Sequence, residues 1–113
     1  DWPGCFSVSN PILGCEVPVT KHAWEQFCRR YTRSVPYRKG WDYSVGFFKG
    51  KLSRFFRVAA EEDLGQAGMV RRLVNNNFVP ARYFLNNGIN LRFIISEADT
   101  TLLTVETPTQ YKR

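Results

Sequence analysis

The sequence predicts an α+β fold, an antiparallel sheet of about five strands with two helices packed on it. Two observations carry that prediction. Apolar residues recur with a period near 3.6 in two windows, residues 21–33 and 59–74, as on the buried stripe of a helix. Elsewhere short β-prone runs are separated by Gly, Pro and Asn, as strands are by turns. The chain of 113 residues fits one domain, 1–113, and can bury a core without a metal or disulfide to staple it. Its hydrophobic fraction of 43% is that of a globular protein rather than a disordered one.

Taken in order, Cys5-Phe6-Ser7-Val8-Ser9 alternates apolar and polar residues as a strand does, until Pro11 breaks it. Ile12 to Val19 gives a second extended piece, and Pro18 makes it an edge or a connection. Thr20 is a helix N-cap. After it Trp24, Phe27, Cys28 and Tyr31 form one stripe, with His22, Gln26, Arg29, Arg30 and Arg33 opposite. Pro36 stops that helix, and residues 34–41 read as a basic loop. Residues 41–48 and 52–58 are both β-prone, and Gly50 between them marks a hairpin. In its second strand Leu52, Arg54, Phe56 and Val58 share one face, and Ser53, Phe55 and Arg57 the other.

The second helical window opens on Glu61, Glu62 and Asp63, which suit a helix N-terminus, and Met69, Val70, Leu73 and Val74 form its expected buried stripe. Asn75-Asn76-Asn77 ends it. A meander follows, with strands from Phe78 to Leu85, Ile89 to Ser96 and Thr100 to Glu106. Its turns are Asn86-Asn87-Gly88 and Glu97-Ala98-Asp99, and Pro108 to Arg113 is a polar tail.

Charge is the strongest functional signal. The net charge is +6, yet residues 21–57 alone carry ten basic and two acidic residues. Residues 1–20 carry only Asp1 and Glu16, and residues 58–113 are balanced at six of each sign. Eleven of the sixteen cations are Arg, whose planar fork pairs with phosphate or carboxylate and stacks on rings. A block of this kind attracts polyanions.

Catalytic chemistry finds no comparable support. His22 and Cys28 lie ~120° apart on their helix, so they do not converge as a nucleophile and base. Cys28 shares the aromatic stripe and reads as a core thiol. Cys5, Cys15, His22 and Cys28 have zinc-ligand chemistry but no Cys-x₂₋₄-Cys knuckle, so no metal is expected. Phosphate-cradling glycine motifs are missing, and no cofactor is expected. The odd cysteine count argues against a disulfide framework, although a Cys5–Cys15 bridge stays open. With no Asn-X-Ser/Thr sequon either, an intracellular protein with free thiols is favoured. No apolar run reaches the roughly 18 residues of a membrane span, and no signal peptide stands at the start. The chain begins at Asp1, as a processed chain or a piece of a longer one does.

The expected function is therefore non-catalytic nucleic-acid binding, with single-stranded or structured substrate favoured, because cations can track phosphates while rings stack on bases. The candidate cations are Arg29, Arg30, Arg33, Arg38, Lys39, Lys49, Lys51, Arg54 and Arg57, and the candidate rings are Tyr37, Trp41, Tyr43 and Phe55. The alternative is a protein-interaction or assembly module whose basic face docks on an acidic protein surface. An edge strand of the meander then offers a route to a homo-oligomer.

Overall fold

Two helices seated on one face of a four-stranded antiparallel sheet organise the molecule. The computed structural model describes residues 2–34, 44–63, 65–76 and 79–108. The first elements are β1 (Ser7–Ser9), β2 (Glu16–Pro18), α1 (Lys21–Ser34) and α2 (Val45–Arg57). They are followed by β3 (Ala60–Glu61), α3 (Gly65–Asn75), β4 (Ala81–Asn86), β5 (Leu91–Ser96) and β6 (Leu102–Glu106). β1 and β2 pair antiparallel as a separate ribbon, and the larger sheet has the order β3-β4-β5-β6. The fold is thus α+β, with three described helices rather than two and strands divided between two sheets rather than placed in one.

The extra helix corrects the expected hairpin. Residues 45–57 form α2, so Gly50 is no turn and Lys49, Lys51, Arg54 and Arg57 lie on a helix. Ser44 caps it by accepting from the Phe47 amide at 3.2 Å. Leu52 and Phe56 are fully buried against the sheet, with Val45, Phe48 and Phe55 packed beside them. That 3.6-residue spacing outweighs the β preference of Phe and the ~1 kcal/mol cost of each helical glycine. Gly46 and Gly50 fall on the side away from the core, where Gly50 has open space around it.

The core lies between α1, α2 and the inner sheet face. Trp24, Phe27 and Tyr31 of α1 meet Leu102 and Val105 of β6, while Phe56 of α2 touches Phe84 and Phe93 at ring-centroid distances of 5.9 and 5.3 Å. Thr20 caps α1 as expected, accepting from the Ala23 amide at 3.0 Å. Its hydroxyl also donates to the Leu102 and Leu103 carbonyls, and Val19 bridges to Leu102 in parallel, so the ribbon leads into the open edge of β6. Asn10 is almost fully buried, and its amide nitrogen donates to the carbonyls of Phe56 at 2.8 Å and Ala59 at 2.9 Å. A loop residue thereby closes the C-terminal end of α2, whose last carbonyls have no helical partner of their own.

The opposite face is thinner. Arg92 on β5 has a side chain only 9% exposed, paired with Glu62 at 2.6 Å and with Glu106 at 2.8 Å. Arg72 of α3 joins the same Glu106 at 3.1 Å and stands over the Tyr83 ring. Two further expectations are corrected here. Glu61 and Glu62 do not open a helix; Glu61 ends β3 and pairs with Arg82, and Glu62 pairs with Arg92. The stripe Met69, Val70, Leu73 and Val74 is not buried, because α3 has no buried residue. The meander begins later than expected, at Ala81, and its first turn gives the left-handed φ of 54° to Asn90 rather than to a glycine.

Candidate nucleic-acid interface

Tyr31 joins the two basic helices. Its ring lies 5.6 Å from Phe55, 6.2 Å from Phe48 and 6.5 Å from Phe47, so this one side chain links α1 to α2. Both helices turn their apolar sides to the same sheet face, and their opposite sides therefore look out together. On α1 that outer side carries exposed Arg29 and Arg33, with Arg30 half-buried between α1 and its surroundings. On α2 it carries exposed Lys49, Arg54 and Arg57, with Lys51 half-buried. α2 contains no acidic residue, and Glu25 is the one on α1.

Local structure explains part of this pattern. Arg33 sits in the last turn of α1, and Arg54 and Arg57 sit in the last turn of α2, where cations offset the negative end of the helix dipole. Lys49 lies 5.1 Å over the Phe6 ring, and Lys51 lies 5.3 Å over Phe47, so rings beneath hold both lysines in place. Phe6 in turn packs edge-on against Trp24, which ties Lys49 to the core. Arg30 differs from the others. Its Nε is enclosed with no hydrogen-bond partner among the described residues, as is Oε1 of Gln26 one turn earlier.

Seven of the predicted cations thus lie on α1 or α2 at exposed or half-buried positions, with the Nε of Arg30 enclosed. Phe55 is half-buried against Tyr31. Tyr37, Arg38, Lys39, Trp41 and Tyr43 lie outside the described residues. Lys21, also exposed and basic at the start of α1, belongs to the same helix and was legible from its place in the basic block.

Cysteine chemistry stands apart from this surface. Cys5 and Cys15 are exposed free thiols, whereas burial pushes the Cys28 thiol up to about 11. Among the described residues no group of three or more His, Cys, Asp or Glu is placed to hold a metal ion, and no helix is long and apolar enough to cross a membrane. No family model, curated protein or solved structure matches this chain.

Proposed function

We infer that the protein binds nucleic acid through the phosphate backbone, using the outward faces of α1 and α2. The observation that carries this is the placing of Arg29 and Arg33 on α1 and of Lys49, Arg54 and Arg57 on α2, two helices in contact through Tyr31, with Glu25 the single acid on either. Fixed helices pre-position cations, so less side-chain freedom is lost on meeting a row of phosphates than from a mobile segment. Such contacts release condensed counterions, which makes affinity fall with salt in proportion to the number of phosphates met. Backbone contact is favoured over base stacking here because Phe55 turns to Tyr31 instead of outward.

The test is a salt titration of binding to short duplex and single-stranded DNA and RNA. Log affinity is expected to fall linearly with log salt, and Arg54→Glu/Arg57→Glu to flatten that slope by about 2 on duplex DNA. Arg29→Glu/Arg33→Glu should do the same. No binding at low salt, where the electrostatic contribution is greatest, removes this function. Retention on poly-glutamate in that case assigns the same cations to an acidic protein surface instead.

A further inference from the structure

An apolar surface lies across the sheet from α1 and α2. Four of the six large hydrophobic residues exposed among the described residues are gathered there: Met69, Val70 and Val74 on α3, and Val79 just beyond it. Val70 and Val74 are one turn apart and more than half exposed, so they form a ridge along the helix. Val70 also forms the near wall of an apolar cleft of about 210 Å³ that Met69 and Leu73 line and Ala81 and Tyr83 floor. Such ridge-and-cleft surfaces mark interaction sites on otherwise polar molecules.

We propose that this surface binds a second copy of the same chain, each Val70/Val74 ridge filling the other's cleft about a two-fold axis. Two features select a second copy over an unrelated partner. The surface carries both the knob and the hole, side by side, as a self-complementary interface requires. Its flanking charges are ordered the same way. Arg71 lies on the far side of the ridge from the cleft, and Glu97 lines the cleft. A two-fold axis that drops ridge into cleft carries Arg71 of one copy to Glu97 of the other, twice by symmetry. Arg71 forms no ion pair with another described residue, and Glu97 has only the longer-range attraction of Arg82, whose guanidinium is already paired with Glu61. Residues 58–113 carry six charges of each sign, so the chain's positive excess comes from elsewhere in it. The sheet keeps the basic faces of α1 and α2 on the outside of such a dimer.

Sedimentation velocity from about 5 to about 500 µM tests this, since association follows mass action. The wild-type coefficient is expected to rise with concentration to that of a dimer, and Val70→Asp to hold it at the monomer value. Arg71→Glu and Glu97→Arg should each weaken association about tenfold, from two exposed pairs per dimer. The double variant Arg71→Glu/Glu97→Arg should recover wild-type association to within about threefold. A wild-type monomer across the whole range overturns the proposal, and so does a double variant no tighter than either single one. The charge-reversal series decides the matter even where Val70→Asp fails to fold.

Discussion

The side-chain amide of Asn10 donates to the carbonyl of Ala59 at 2.9 Å, linking positions 49 residues apart. The same nitrogen donates to Phe56, and Oδ1 accepts from the Ile12 amide, so one buried side chain satisfies groups of two separate segments. Asn10→Ala takes this partner from the Ala59 carbonyl and the Ile12 amide, while the Phe56 carbonyl keeps the Ala59 amide at 3.2 Å, at roughly 1–3 kcal/mol for each group so stranded. The expected total is about 2–4 kcal/mol of lost stability, read from urea unfolding followed by circular dichroism. A loss under about 0.5 kcal/mol would show that water replaces the amide.

Two arginines on the sheet should respond differently to truncation. Arg92→Met removes the partner of Glu62 and one of the two arginines on Glu106 from a site where the guanidinium is nearly enclosed, and should cost about 3–5 kcal/mol. Arg82→Met breaks an exposed pair with Glu61 and should cost under about 1 kcal/mol. Equal losses for the two would contradict the burial that distinguishes them.

The exposed pair also fixes a sign for pH. The hydrogen bond from Arg82 holds the Glu61 carboxyl below its ordinary value of 4.5. Its stabilising contribution is therefore complete above 4.5 and disappears as pH falls through the lower folded value. Wild type and Arg82→Met should differ in melting temperature at pH 7 and converge as the pH is lowered past that point.

Thiol labelling should separate the three cysteines. Because burial raises the Cys28 thiol to about 11, iodoacetamide at pH 8 is expected to modify exposed Cys5 and Cys15 and spare Cys28. The linkage runs opposite to that of Glu61. Between 9.0 and about 11 the unfolded chain releases a proton that the folded chain keeps, so Cys28 lowers stability as pH rises through that window. Cys28→Ala should flatten this alkaline decline.

Arg30→Met should be neutral or stabilising in thermal melts, since it keeps the apolar stem and removes an enclosed Nε with no partner among the described residues. A large loss instead would mean that the guanidinium has partners that only the complete chain in solution supplies.

The parts of this molecule legible in the sequence are those where one local signal dominates. Thr20 followed by the Trp24, Phe27 and Tyr31 stripe marks α1, and the runs that become β4 to β6 stand out by the turns between them. α2 was lost because glycines on its outer face resemble turn residues, and only the burial of Leu52 and Phe56 tells them apart. The sites of Glu61 and Glu62 were lost for a related reason. Acids before an apolar period suit a helix start, but their partners Arg82 and Arg92 are 21 and 30 residues away. The basic block was legible as composition, whereas its arrangement on two neighbouring helices depends on the contacts of Tyr31. The α3 stripe had a buried helix's period, and its exposure follows from a sheet face already occupied by Arg92 and its carboxylates.

The hydroxyl of Thr20 reaches carbonyls 82 and 83 residues further on. On a ribosome adding about 5–20 residues per second, α1 emerges roughly 4–16 s before the strand that seats it. Through that interval its Trp24, Phe27 and Tyr31 face has no β6 to cover it, and the nascent chain presents the cell with an aromatic helix in need of shelter.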